Sequence, residues 1–437
     1  MKEFFKELIV SSQHLFSERK IIRRKIEINP VESRITTFIG ARRVGKTFYL
    51  FQQIQDLVSK KKVNTEQILY INFEDERLFP FDVSQFEVLL SAFYELYPEN
   101  KDKVCYFFFD EIQEVRYWEK FIRRIHDTER VQLFLTGSSS TLLSKELATS
   151  LRGRTLSFEI FPYNFEEFVI AKKGQTGTIY DQRNQAKLKN LFQQYLDTGG
   201  FPETVMVDEN QKRLLWQDYV DLIIYRDLID RHSITNIYLI KFFIKFLIVN
   251  QGNLLSINKV YNDFKSQGMT LSKATLFDYL SYAEDAFVLF TVKIWSENLR
   301  VQQRNPFKVY SVDNGLKRVM SYKKDSGRAL ENLVYLHLRR CVKEIYYWKG
   351  SQEVDFCIPF ESQFILINVC ESLYDFKTKE REINALREAM RYFNQPKTFI
   401  ISMNEEYSIS VEEGSIDVIP ALKWTLTDSW SHLTSRL

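Results

Sequence analysis

Hydrophobic and polar positions follow two alternating rhythms through the first 140 residues. Short apolar runs rich in β-branched and aromatic residues recur at Arg34–Ile39 (RITTFI), Ile68–Phe73 (ILYINF), Val104–Phe109 (VCYFFF) and Val131–Thr136 (VQLFLT). Each is short enough for a strand and too uniformly apolar for a solvated one, as strands covered on both faces are. Between them the period lengthens. From Lys46 or Thr47 the apolar positions Leu50, Phe51, Ile54, Leu57 and Val58 keep a helical spacing, and Phe86 to Tyr97 and Trp118 to Thr128 do the same. Strands alternating with helices predict right-handed βαβ crossovers and a parallel sheet, an α/β class.

After about residue 160 helices dominate. Helices are predicted from Ile237 to Val249, from Ser256 to Phe264 and from Leu271 to about Ala286, followed by apolar strands Phe287–Trp295 and Phe307–Val312 around a basic turn with Arg300 and Arg304. Three helices and a hairpin make a winged helix. Its third helix offers Lys273 but also Asp278, Glu284 and Asp285, so Arg300 and Arg304, with Lys317, Arg318, Lys323 and Lys324 nearby, are the better candidates for DNA contact; packing or protein contact is the competing role. The last segment predicts a helix around Glu331, strands at Ile345–Trp348 and Phe364–Val369, and a helix from Lys379 to Tyr392. Soft boundaries give an α/β core with a helical lid region over 1–230, a winged-helix unit over 231–325 and an α/β domain over 326–437.

Composition narrows the class. With 437 residues, 45% hydrophobic and 27% charged, the chain is that of a folded multidomain protein. Sixty basic against 57 acidic residues leave a formal charge of +3, so nucleic-acid contact must come from a local patch. One such cluster, Arg19, Lys20, Arg23, Arg24 and Lys25, reads as a solvated helix face. Cys105, Cys341, Cys357 and Cys370 show no zinc spacing and read as buried reduced thiols. The N-terminus is charged too early for a signal peptide, and the apolar run Phe242–Val249 is far short of the roughly 20 residues that cross a bilayer. A cytoplasmic protein with no membrane contact is expected.

The chemistry concentrates after the first strand. Gly40, Ala41, Arg42, Arg43, Val44, Gly45, Lys46 and Thr47, leading into Phe48, fit the phosphate-loop pattern at every fixed position. The glycines let backbone N–H groups curl around phosphates, Lys46 supplies a cation, the Thr47 hydroxyl is a Mg²⁺ ligand, and the helix aims its positive end at the anion. At the end of the third run stand Asp110 and Glu111. Asp110 is the expected second Mg²⁺ holder and Glu111 the general base for water. The strand at Ile68–Phe73 allows the phosphate-loop strand and the acidic strand to be non-neighbours. Thr136 and Ser138 are candidates to touch the γ-phosphate or the attacking water, or else to cap a helix starting near Thr141. Arg152 and Arg154 are candidates for a transition-state arginine, in cis or on a neighbouring subunit, against a plain surface pairing.

These segments, GARRVGKT, FFFDEIQ, FLTGSSS, LRGR, FPYNFEEF and Gly199-Gly200-Phe201-Pro202-Glu203, with YRDLIDR, KVYSVDNGL, GRALENLV and QEVDF further on, resemble in order a family of prokaryotic AAA-type ATPases with a C-terminal region of uncharacterised function. The resemblance covers nearly the whole chain. It implies ATP hydrolysis with Mg²⁺ in an AAA-type module, a winged-helix unit and a restriction-endonuclease-like C-terminal fold. In that nuclease fold Glu331 and Asp355 are the first two acids, while Asn368 and Cys370 occupy the places of the third acid and the lysine, which predicts loss of cleavage. Two other functions compete with an ATP-driven cycle: a nucleotide-gated scaffold for DNA or protein that turns over little ATP, and a nuclease using a migrated site. Protein partners and an oligomer are compatible with all three.

Overall fold

All four apolar runs are strands in the computed structural model, which describes residues 1–437 except 27, 29, 32, 139–152, 175–181, 322–324, 428 and 435–437, and the backbone alone at 17, 18, 182, 183, 429 and 432. Two compact units divide the chain: Met1–Phe161 with Asp285–Phe287, and Pro162–Glu284 with Val288–Leu437.

In the first unit β1 (Ile35–Ile39), β2 (Ile68–Asn72), β3 (Cys105–Asp110), β4 (Val131–Gly137) and β5 (Thr155–Glu159) form a parallel sheet in the order β2-β3-β4-β1-β5. The phosphate-loop strand and the acidic strand are indeed separated, but by β4; β2 lies at the edge, outside β3. Helices α2 (Lys46–Lys61), α3 (Gln85–Leu96) and α4 (Trp118–Thr128) fall where the period predicts them. Aromatic rings fill the core. Phe108 stacks on Phe134 at 4.5 Å between centroids, Phe86 on Phe121 at 4.0 Å, and Phe38 meets Tyr49 edge-on at 5.0 Å. Such pairs add about 0.5–1.5 kcal/mol each beyond their burial.

Two elements escape the sequence pattern. β5 is a half-exposed edge strand. Helix α1 (Lys2–Glu18) packs on α3 and β2 through Phe5, Leu8, Ile9, Ser12 and Phe16, all buried at helical spacing. The basic cluster that follows is not a helix face. It runs without helix along α2, where Arg23 pairs with Asp56 and the Arg24 backbone exchanges hydrogen bonds with the Gln52 side chain at 2.6 and 2.9 Å. Arg24 itself is buried.

The second unit begins at Pro162, so residues 162–230 group with the C-terminal part and not with the five-stranded sheet. The reason is a buried polar lock. Asp313 accepts the Gly200 amide at 2.6 Å and the Gly315 amide at 2.7 Å, and Asn314 donates to the Leu196 and Ala329 carbonyls. A Cβ at Gly199, where φ is +70°, would fall 1.8 Å from Asp313 Oδ1, so only glycine fits there. The Gly199–Glu203 turn and the Val312–Leu316 turn are thus two halves of one joint.

This unit carries a nine-stranded sheet, ordered β13-β14-β12-β11-β10-β9-β7-β8-β6. Helices α5 (Ile237–Val249), α6 (Ile257–Ser266) and α7 (Lys273–Asp285) precede the antiparallel hairpin β7 (Leu289–Ile294) and β8 (Phe307–Ser311); a short strand β6 (Leu254–Leu255) pairs with β8. The basic turn is itself a helix, Leu299–Arg304. Then come α8 (Ser326–Cys341), the antiparallel strands β9 (Tyr346–Lys349), β10 (Glu353–Phe360) and β11 (Gln363–Cys370), helix α9 (Phe376–Phe393), and β12 (Lys397–Ser402) parallel to β11. Strands β13 (Tyr407–Val411) and β14 (Gly414–Pro420) complete the sheet. No boundary near residue 325 interrupts it, because β7 pairs in parallel with β9 through Lys293 and Ile294. Cys105, Cys357 and Cys370 are buried free thiols, as expected, but Cys341 is exposed. Among the described residues no helix is long and apolar enough to cross a membrane.

Candidate functional site

The loop between β1 and α2 closes tightly. A Cβ on Gly40 would lie 2.2 Å from the Ile160 carbonyl oxygen, so the loop passes where no side chain fits. Gly45 caps α2 in the left-handed region, with φ of +96°. Arg24 braces the loop from beneath: its guanidinium donates to the Val44 carbonyl at 3.0 Å and to the Phe161 carbonyl at 2.6 Å. Ala41 and Val44 are fully buried. Arg42 pairs with Glu74 at 2.7 Å, Arg43 holds a φ of +65°, and Phe48 is partly exposed beneath the Arg19 guanidinium, 5.3 Å from its ring centre. The Lys46 ammonium donates to the Gly40 and Ala41 carbonyls, each at 3.2 Å, and lies 3.3 Å from Glu111 Oε1.

Strand β3 delivers the two acids to that loop. Asp110 is the last residue of β3 and is fully buried; Glu111 turns out of the strand with φ of +50°. Asp110 is held on both oxygens. Thr136 of β4 donates to Oδ1 and the Tyr70 phenol of β2 donates to Oδ2 at 3.0 Å, while the Thr47 hydroxyl also bonds the carboxylate. Burial and the neighbouring Glu111 charge push the Asp110 carboxyl up to about 6, against those hydrogen bonds. For Glu111 burial acts upward as well, but Lys46, a hydrogen bond from Gln113, and Arg42 outweigh it and hold the carboxyl below its ordinary range. A carboxylate pair at one place is thereby split into a more basic and a more acidic member, with Glu111 kept ionised beside the loop lysine.

The other candidates take definite places. Thr136 does not point freely toward a phosphate; its hydroxyl bonds Asp110 and accepts the Glu111 amide at 2.8 Å, so it orients both acids. Ser138 is buried just after β4. Arg154 pairs with Asp127 at 2.9 Å on the surface, whereas Arg152 and the segment from Thr141 lie outside the described residues. Thr47 and Asp110 are adjacent oxygen donors at the mouth of the loop, a fit for a hard divalent cation.

The C-terminal acids converge in the second unit. Glu331 of α8 and Asp355 of β10 meet around a lysine that the sequence did not single out, Lys308 of β8. Asn368 is buried and donates to Glu382 of α9 at 2.6 Å, and burial pushes the Cys370 thiol well up. Tyr70 and Lys308 were thus missed, their only signal a polar group interrupting an apolar stretch, while Arg24 reads in the sequence as one member of a solvated basic cluster.

A five-stranded parallel sheet with β4 between the loop strand and the acidic strand is the architecture of an AAA-type P-loop nucleotide-binding core. The family model described as "AAA domain" matches residues 32–169, and a "Domain of unknown function (DUF8612)" matches residues 189–326. The uncharacterized protein MJ1544 of Methanocaldococcus jannaschii is 37% identical over 438 residues, 98% of this chain and 96% of its own. An uncharacterized protein of Haemophilus influenzae is 29% identical over 420 residues, 95% of this chain and 100% of its own. Among solved structures, the Walker-type ATPase PABY2304 of Pyrococcus abyssi aligns at 15% identity with a TM-score of 0.41, over 70% of this chain and 99% of that one. The chain belongs to the family of AAA-domain proteins that includes MJ1544.

Proposed function

We propose that the chain hydrolyses ATP with Mg²⁺ and couples its nucleotide state to the second unit. The observation behind this reading is the meeting of Lys46, Thr47, Asp110 and Glu111 at one loop, with Glu111 held ionised by Lys46. In this reading Lys46 exchanges its loop carbonyls for the β- and γ-phosphates. That exchange frees Glu111 to take the proton of an attacking water. Thr47 and Asp110 would hold Mg²⁺, which when bound neutralises phosphate charge. Thr136 and Tyr70 keep Asp110 fixed. Arg152 or Arg154 is proposed to supply the transition-state arginine, in cis or in a neighbouring copy's site.

We read residues 231–325, which hold α5 to β8, as a winged helix with DNA contact through Arg300 and Arg304, and residues 326–437, whose strands share its sheet, as a restriction-endonuclease-like fold without cleavage activity. A cytoplasmic setting suits the free thiols. The test is phosphate release with and without DNA. Wild-type protein should release phosphate from ATP. Glu111→Gln should bind ATP and lose turnover, by about 10²–10⁴-fold for a general base. Lys46→Ala should lose nucleotide binding. Turnover by Glu111→Gln at the wild-type rate would overturn the assignment.

A further inference from the structure

A metal-dependent nuclease gathers carboxylates to hold a divalent cation. The residues of the second unit do not fit that role. Among the described residues no group of three or more His, Cys, Asp or Glu side chains is placed to hold a metal ion. The carboxylates are gathered, but around a cation that belongs to the chain. Lys308 Nζ lies 2.9 Å from Glu331 Oε1, 2.8 Å from Glu353 Oε1 and 2.7 Å from Asp355 Oδ1, with its side chain 1% exposed. The ammonium donates hydrogen bonds to Glu331 and Asp355 and pairs by charge with Glu353.

The other oxygens of Glu331 and Asp355 are also taken. Glu331 Oε1 accepts the Tyr310 phenol at 2.8 Å, and Glu331 Oε2 accepts Arg328 at 2.8 Å. Asp355 Oδ2 accepts the Val369 amide at 2.8 Å. Glu382, the next buried acid, is turned to Asn368 and to the Arg381 guanidinium. Burial alone would drive Lys308 toward its neutral form, but Asp355, Glu331 and Glu353 outweigh it and keep it charged. A divalent ion ligated by these same oxygens, at about 2.0–2.6 Å from each, needs the space between them that Lys308 Nζ fills. Both cannot be present.

We infer that Lys308 is the resident cation of this carboxylate cradle and that the cradle excludes divalent metal ions. The open cavity beside it, about 720 Å³ and lined by Glu331, Glu353, Asp355, Arg328, Arg381 and Glu382, is then a pocket that works without a metal. The exclusion rests on the distances alone. That Lys308 stands in for a metal rests on the restriction-endonuclease-like reading.

The experiment is Mn²⁺ titration of the full chain, read by electron paramagnetic resonance. An Asp110→Asn background removes the metal ligand proposed at the phosphate loop. With Lys308 intact, no stoichiometric Mn²⁺ should bind at millimolar concentration. Adding Lys308→Ala or Lys308→Gln should open a site for one Mn²⁺ per chain, abolished by Asp355→Asn. Where Lys308→Ala folds only with metal, recovery of its far-ultraviolet circular dichroism by Mn²⁺, absent with Asp355→Asn, gives the same result. One Mn²⁺ bound by the Lys308-intact chain and lost with Asp355→Asn would overturn the exclusion. Folded Lys308→Ala and Lys308→Gln chains that both bind no Mn²⁺ would overturn the stand-in and leave the exclusion intact.

Discussion

Asp110 shows how far a single carboxylate depends on its neighbours. Its strand supplies its depth, but Thr136 and Tyr70, from the strands on either side of β3, fix its two oxygens. Tyr70→Phe removes one hydrogen bond and almost no volume. We expect nucleotide affinity without metal to be unchanged, and Mn²⁺ affinity of the nucleotide complex to fall about 10-fold, the lower end of effects seen when a group supporting a metal ligand is lost. Mn²⁺ titration in the presence of nucleotide checks this; unchanged Mn²⁺ affinity would assign Tyr70 to packing alone. Gly40→Ala tests the loop itself. The new Cβ meets the Ile160 carbonyl at 2.2 Å, so the backbone must move. Overpacking of this kind costs about 1–3 kcal/mol. Thermal denaturation should show that loss, and the displaced loop should bind nucleotide more weakly.

At the scale of elements, what the sequence revealed was local. The phosphate loop could be read because its chemistry lies within eight consecutive residues, and strands β1 to β4 because both faces are covered and their runs are continuously apolar. β5 was illegible because an edge strand carries a mixed pattern. Arg24 and Lys308 were illegible because their partners lie far off in the chain: Phe161 for the first, and Glu331, Glu353 and Asp355 for the second. The joint made by the Gly199–Glu203 and Val312–Leu316 turns is equally non-local, and it titrates. Burial pushes the Asp313 carboxyl up to about 7, against the amides of Gly200 and Gly315. In the unfolded chain the same group titrates near its ordinary value of about 4. Between those values the folded chain holds more protons, so the stability that Asp313 contributes is full at low pH and declines as pH rises toward 7. Asp313→Asn removes the titration. Urea denaturation across this window should then show a flatter dependence on pH than wild type, and an identical slope would rule Asp313 out as its source.

For the molecule as a whole, the proposed cycle has a form in trans, in which one copy completes another's site. Arg154 lies at the surface in an exposed ion pair with Asp127, which solvent screens and which is therefore easily exchanged. Turnover per chain should rise with protein concentration. Arg154→Ala should be slow alone and regain turnover when mixed with Lys46→Ala, which has no working site but an intact arginine. Activity independent of concentration, with no recovery on mixing, would assign Arg154 to the surface pair. The parallel pairing of β7 with β9 has a different consequence. A chain cut near residue 325 would leave the hairpin with a bare strand edge and the C-terminal strands with another, each offering unpaired N–H and C=O groups to any passing strand. Neither half should be obtainable as a soluble monomer. Through gene duplication or exchange, the hairpin and the C-terminal strands should pass from one protein to another only together.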